Sequence, residues 1–350
     1  MKASYTKYTL NFKAPSGTSR GVMTKKETWF LVLQDTKNYG IGECGLLKGL
    51  SIDDVPDYES KLSWVCDNIH LGERKLLEAL IEFPSIRFGL EQAFLSLESN
   101  HPFELFPSAF TKNESPVLLN GLIWMGSEAF MLSQLEQKLK EGFKCIKMKI
   151  GAIDFETELK ILKSIRANFT VDEIELRVDA NGAFSLSSAL EKLKKLSECQ
   201  IHSIEQPIKP NNWEAMAELC EKTPLPIALD EELIGVHAVT EKEKLLQTIQ
   251  PQYIILKPSL IGGYAASQEW INLAEQYSIG WWVTSALESN IGLNAIAQWA
   301  HTLRTTIPQG LGTGSLYTNN LESPLEVSEG KLFYRLTKNW KTNIIEEVCT

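Results

Sequence analysis

The rhythm of apolar and polar positions changes about a third of the way along the chain. Before the change, residues 3–13, 28–35 and 39–45 read as strands, the second being Thr28-Trp29-Phe30-Leu31-Val32-Leu33-Gln34-Asp35. Between the first two, Ala14-Pro15-Ser16-Gly17-Thr18-Ser19-Arg20-Gly21 is a loop by composition. Helices are predicted over about 56–70 and 86–98; in the second, Phe88, Leu90, Ala93, Phe94 and Leu97 fall at helical spacing as a core-facing stripe. Sheet followed by helices predicts an α+β unit for the first hundred or so residues.

From Val117 onward strands and helices alternate. Strand-like runs cover 117–123, 145–150, 173–178, 201–204, 225–229, 253–256 and 280–283. Helices lie between them, one marked by Phe155, Leu159, Leu162 and Ile165, another by Leu186, Leu190, Leu193 and Leu196. Asp154 stands where an N-cap belongs. A helix over about 290–303 leads into Ile307-Pro308-Gln309-Gly310-Leu311-Gly312-Thr313-Gly314, a short or degraded eighth strand. The tail at 330–336 reads as a strand returning to the N-terminal unit. Alternation over about two hundred residues implies parallel strands. It does not by itself separate a closed barrel from an open doubly wound sheet. No G-x-G-x-x-G follows the first strand, which weighs against a dinucleotide-binding sheet.

The stretch Phe143-Lys144-Cys145-Ile146-Lys147-Met148-Lys149-Ile150-Gly151 organises the chemistry. Strand side chains alternate, so Lys147 and Lys149 share one face, and Ile146, Met148 and Ile150 the other. Alone, this is a half-exposed strand with a solvated lysine face. The rhythm downstream changes that reading. Asp179, Glu205 and Asp230 each close an apolar run and Lys257 closes a fourth, at steps of 26, 25 and 27 residues. That is the length of one strand–helix unit, and in a closed barrel these side chains converge on the C-terminal mouth.

Three carboxylates at strand ends suit a hard divalent cation such as Mg²⁺. Asn181, two residues past Asp179, is placed to support its neighbour. Desolvation and mutual repulsion lower a lysine pKa, while nearby carboxylates raise it; the clustering leaves one of Lys147 and Lys149 able to act as a base. A proton next to a carboxylate is only weakly acidic, and its removal requires the enediolate to be neutralised as it forms. A cation and a flanking ammonium do that.

Composition narrows the partners. At 350 residues the chain suits a barrel plus a smaller domain, and 43% hydrophobic with 23% charged residues is ordinary for a soluble globular protein. A net charge of −9 without a basic cluster excludes nucleic acid. No apolar run approaches about 18 residues, and Met1–Lys7 lacks a signal-peptide core, which places the protein in the cytoplasm and off the membrane. Six cysteines without a C-x-x-C pair and five scattered histidines give neither a disulfide framework nor a zinc site.

Taken in order, Lys147-x-Lys149, Asp179-x-Asn181, Glu205-Gln206-Pro207, Asp230-Glu231 and Lys257-Pro258 resemble the enolase superfamily in its muconate-lactonizing-enzyme subgroup. The resemblance implies an α/β fold, a TIM-like (β/α)7β barrel over 113–324 with an α+β capping domain over 1–112 that is completed by 325–350. It implies Mg²⁺ held by Asp179, Glu205 and Asp230, and Lys149 as general base with Lys147 assisting. Lys257 is then the ammonium opposite. Capping loops at about 15–25, with Arg20, and 45–53 would close over a small-molecule carboxylate substrate.

Members of the subgroup share the first chemical step. Dipeptide epimerases carry an Asp-x-Asp near the last strand, whereas Gly310-Leu311-Gly312-Thr313-Gly314 holds no acid, which disfavours a cationic ligand. The stretches 119–126 and 284–292 look like those of o-succinylbenzoate synthases. Ser285 and Gly262-Gly263 would suit an anionic succinyl tail, with Asn181 and Glu288 as further polar groups at the mouth. The resemblance therefore implies dehydration of 2-succinyl-6-hydroxy-2,4-cyclohexadiene-1-carboxylate to o-succinylbenzoate, a step of menaquinone biosynthesis. The alternative is an N-acylamino acid racemase or dipeptide epimerase. Homo-oligomerisation is left open.

Overall fold

The structure is a computed structural model and describes residues 1–18 and 21–341. Its N-terminal sheet consists of β1 (Lys2–Thr18), β2 (Gly21–Gln34) and β3 (Tyr39–Cys44), in the order β1-β2-β3. The β1/β2 ladder runs from Lys2↔Gln34 to Asn11↔Lys25, breaks, and resumes from Ser16↔Met23 to Thr18↔Gly21. The stretch predicted as a loop over 14–21 is thus largely one end of a long antiparallel ribbon. Pro15 sits in the break, where a missing N–H costs no ladder bond. Arg20 lies outside the described residues.

Alternation gives this sheet two working faces. Trp29, Leu31 and Leu33 pack with Tyr58, Leu62, Leu90 and Phe94 of the helices Tyr58–Asp67 and Pro84–Glu98. Phe30, Val32 and Ile41 face the other way and join Ile291 and Leu321. The sheet lies directly on the second helix because glycines meet there. A Cβ on Gly42 would stand 1.8 Å from the Gly89 carbonyl oxygen.

After the short β4 (Val117–Leu118), seven parallel strands follow: β5 (Asn120–Ile123), β6 (Cys145–Lys149), β7 (Glu175–Asp179), β8 (Ser203–Glu205), β9 (Ile227–Leu229), β10 (Tyr253–Leu256) and β11 (Gly280–Val283). They pair in sequence order from β5 to β11. Gln309 bridges Leu119 and Gly310 bridges Thr284, both in parallel sense, so an eighth strand only two residues long closes the sheet into a barrel. Closure is what the alternation alone left open.

Outward-facing Ile146, Met148 and Ile150 pack with Leu159, Leu162 and Ile165 of the helix Phe155–Asn168 and with the rest of the main core. Asp154 caps that helix by accepting from the Thr157 N–H at 3.1 Å. In the helix Leu186–Ser197 the buried side is Ala189, Leu193 and Leu196, while Leu186, at its first residue, is exposed.

The C-terminal hairpin of β12 (Leu325–Ser328) and β13 (Lys331–Tyr334) pairs with β4, not with the N-terminal sheet. Beyond it Trp340 stacks on Phe103 with ring centroids 4.2 Å apart and joins Phe30 and Val32. Among the described residues no helix is long and apolar enough to cross a membrane.

Candidate active site

Parallel pairing places Lys149 beside Asp179 and Asp179 beside Glu205, at the C-terminal ends of β6, β7 and β8. Lys147 and Lys149 turn into the barrel and are buried, 5% and 8% exposed, so the solvated lysine face does not exist. The Lys149 ammonium donates to Asp179 Oδ2 at 2.8 Å and to Asn181 Oδ1 at 2.7 Å. Lys147 donates to Glu205 Oε2 at 2.6 Å and stands 3.4 Å from Asp179 Oδ2. Lys257 pairs with Asp230 and lies 3.7 Å from Glu205 Oε1. The order Lys149, Asp179, Lys147, Glu205, Lys257, Asp230 alternates in sign. Six ionisable groups are tolerated in the interior because each acid lies beside a lysine.

Two residues with left-handed backbone hold these ends in place. Asn181, at φ 45°, accepts from Lys149 and donates its Nδ2 to Glu231 Oε1 at 3.0 Å. Gln206, at φ 38°, accepts the Asp230 and Glu232 N–H groups on Oε1 and donates Nε2 to Glu232 Oε2 and the Ile208 carbonyl. It locks the end of β8 to the end of β9. Its place between Glu205 and Pro207 was visible in the sequence, but this role was not.

The electrostatics follow from the alternation. Burial works against the Lys147 ammonium, yet Glu205 and Asp179 hold its pKa above the usual lysine value. Lys257 is likewise raised, by Asp230 and Glu205 against burial. The expected depression of clustered lysines is therefore not found at Lys147, because the carboxylates outweigh both burial and the neighbouring ammonium. Burial also opposes ionisation of Asp179, but Lys149 and then Lys147 hold it well below the carboxylate range. Asp230 is lowered by Lys257 against burial. Glu205 goes the other way, pushed up to about 8 by burial and by Asp179.

The three carboxylates share one mouth, interleaved with lysines. Among the described residues no three Asp, Glu, His or Cys side chains are gathered tightly enough to hold an ion as they stand. The ammoniums of Lys147 and Lys257 lie between the acids instead. The donor set still fits Mg²⁺ in kind. Asp179, Glu205 and Asp230 offer hard oxygens from three successive strand ends, and Glu205 Oε1 is buried with no hydrogen bond.

A cavity of about 370 Å³ stands over this mouth. Lys147, Lys149, Asp179 and Lys257 line it from below, and Pro15, Ser16, Met23, Leu47 and Leu50 from the capping side. Both segments expected to cover the substrate reach it, the first as a ribbon end and not a loop. Asn181 and Ser285 are in its wall.

Two other predicted contacts are placed elsewhere. Glu288 is fully buried behind the wall, accepting from Ser259 and Ser285. Gly262 is at a corner whose anion is the protein's own, for Glu91 Oε2 accepts the Tyr264 N–H. Sequence reasoning missed Asn120 and Thr284, which line the cavity with side-chain oxygens that are buried and carry no hydrogen bond. They flank Gly310, where a Cβ would come within 2.6 Å of Thr284 Oγ1. Such orphaned atoms in a cavity wall mark where a ligand's polar groups belong.

A family model described as enolase C-terminal domain-like matches residues 131–335, more than half of the chain. The chain belongs to the enolase superfamily. This superfamily member is 47% identical to the o-succinylbenzoate synthase of Desulfotalea psychrophila, over 95% of the chain and 98% of that protein. It superposes on the crystal structure of MenC from the same organism with a TM-score of 0.85 and 44% identity, covering 95% of this chain and 99% of that one. The dipeptide epimerase of Cytophaga hutchinsonii, solved with Mg and D-Ala-L-Val, matches at a TM-score of 0.82 over 99% of this chain and 97% of that one. At 19% identity it shares the fold.

Proposed function

We propose that the chain dehydrates 2-succinyl-6-hydroxy-2,4-cyclohexadiene-1-carboxylate to o-succinylbenzoate, a step of menaquinone biosynthesis. The observation that carries this reading is the 47% identity, end to end, with an o-succinylbenzoate synthase. The mouth geometry supports it. Lys149, oriented by Asp179 and Asn181, takes the proton α to the ring carboxylate. Lys257, kept cationic by Asp230 and Glu205, faces the growing negative charge from the opposite side. Lys147 stays protonated beside them and adds to that field. Lys149 then returns its proton to the departing hydroxyl; the C–O bond breaks, water leaves and the ring becomes aromatic. Trp124, Phe130, Leu47 and Leu50 keep bulk water from the intermediate.

Asp179, Glu205 and Asp230 would hold Mg²⁺, which when bound acts as a Lewis acid on the substrate carboxylate. In this division of labour residues 113–324 carry the chemistry, and residues 1–112 close over it. The test is a direct assay of o-succinylbenzoate formation by the purified protein. Product should form, should cease with EDTA and should return with added Mg²⁺. No o-succinylbenzoate, together with α-proton exchange from D₂O on both faces of an N-acylamino acid, would instead establish a racemase.

A further inference from the structure

Two hydroxyls in the cavity wall have their protons already committed. Ser285 Oγ is 2.6 Å from Glu288 Oε2. It also accepts the Leu287 N–H at 2.9 Å and meets Thr313 Oγ1 at 2.9 Å. A carboxylate only accepts, so the single proton of Ser285 goes to Glu288. Thr313 must then supply the proton between the two hydroxyls. What Thr313 has left for the cavity it lines is lone pairs.

The direction of this chain follows from the donors gathered around Glu288. Glu288 is fully buried, and its second oxygen accepts from Ser259 Oγ, so hydroxyl donors occupy both oxygens. A basic group approaches from the capping sheet: Lys26 of β2 is 4% exposed and its Nζ has no hydrogen bond, and burial lowers its pKa against the pull of Glu43 and Glu288. Glu43 is itself occupied by Thr28 and by the Ser289 and Gly292 N–H groups. Gly292 leaves room for both acids, since a Cβ there would lie 2.9 Å from each.

We propose that Thr313 is a specificity-determining residue that recognises a hydrogen-bond donor on the substrate, its polarity set by Ser285 and Glu288 as positioning residues. A carboxylate or ketone oxygen placed against Thr313 meets a lone pair, while a hydroxyl is bound. Ser285, expected to help hold an anionic tail, has no proton to offer one. The inference rests on the dehydration reading and deepens it. The donor in that substrate is the ring hydroxyl, and the reaction removes it. Thr313 therefore grips substrate and not product.

The test compares Thr313→Val, which removes the lone pairs, with Thr313→Ser, which keeps them. Thr313→Val should raise the KM for the dehydration substrate about five- to tenfold, the loss of one neutral hydrogen bond. The inhibition constant of o-succinylbenzoate should stay unchanged, and Thr313→Ser should restore the ratio of the two constants. Ser285→Ala, which frees the Thr313 proton to face the cavity, should tighten product inhibition. Equal changes in KM and product inhibition, or no change in either, would overturn the assignment. If the unmodified protein does not turn over the substrate, the dehydration reading falls and the inference is judged by binding. Calorimetry with trans-2-hydroxycyclohexanecarboxylate and cyclohexanecarboxylate should favour the hydroxylated ligand, and Thr313→Val should abolish the preference. Equal affinity of the unmodified protein for the pair would end it.

Discussion

At the mouth of the barrel, Lys147, Lys149, Lys257 and Asp179 face a cavity of about 370 Å³. Deeper in the same barrel, Arg177 is just as buried, but its guanidinium is engaged by the protein's own groups, with Nη2 2.7 Å from Glu175 Oε1 though not hydrogen-bonded to it. Its Nε stands 2.7 Å from Glu175 Oε1, its Nη1 donates to the Pro308 carbonyl at 3.0 Å, and its plane lies 4.3 Å from the Trp282 ring centroid. Cys145 Sγ donates to the same Glu175. Arg177 holds Glu175 below the carboxylate range in spite of burial. The difference is instructive because both clusters pair a buried cation with an acid whose pKa it lowers. Buried charge alone is therefore a poor guide to function. What separates the mouth is that its charges border open volume, where Asn120 and Thr284 also present orphaned oxygens.

Breaking either cluster should expose the contrast. Lys149→Ala should cut turnover by about three orders of magnitude, the upper part of the range for losing a general base. Its melting temperature should move little, since Asp179 keeps Lys147 at 3.4 Å. Steady-state kinetics beside thermal melts measure this, and retained activity would remove Lys149 from the mechanism. Arg177→Met should do the reverse. Stability in denaturant titrations should fall by about 3 kcal/mol as Glu175 loses its partner, with kcat of the folded fraction unchanged.

A smaller effect comes from Glu91, a buried acid outside both clusters whose carboxyl is pushed up to about 7 by burial. Its folded value lies above the unfolded one, so the neutral form favours folding. The stability it contributes is fully present below about pH 4.5 and is lost as pH rises through about 7, by at most about 3 kcal/mol. Glu91→Gln should lack that share of the slope when unfolding is compared at about pH 5 and pH 8. Equal slopes would show that Glu91 does not titrate between them. Asp53, at about 6, and Glu158, at about 7, are raised in the same sense, so the slope should shrink and not vanish.

Much of the site was legible because its determinants are local. Alternation through residues 145–150 put two lysines on one face, and the even spacing of Asp179, Glu205, Asp230 and Lys257 marked successive strand ends. The ribbon was not legible, because residues 14–17 have loop composition; Ser16 and Gly17 become strand through pairing with Met23 and Val22, while Ala14 and Pro15 lie in the break of the ladder. Glu288 and Gly262 were misplaced for a related reason. Both were read as facing a ligand, yet each meets a partner from a distant part of the chain: Glu288 takes the Ser259 hydroxyl, and the Gly262 corner takes Glu91 of the capping helix. Nothing local in sequence distinguishes an anion from solvent and an anion from the protein itself.

Glu175, Arg177 and Asp179 mark where the sequence stops. They alternate on one strand, so the period of two assigns all three to the same face without reference to the rest of the chain. Their depth is another matter. Which of them reaches the mouth depends on the stagger of the neighbouring strands, and that stagger exists only once Gln309 and Gly310 close the sheet. The sequence by itself set the facing of each side chain, since facing is a property of one strand's backbone. The tertiary structure decided which charges meet open volume, since volume is shared among all eight strands and the domain above them.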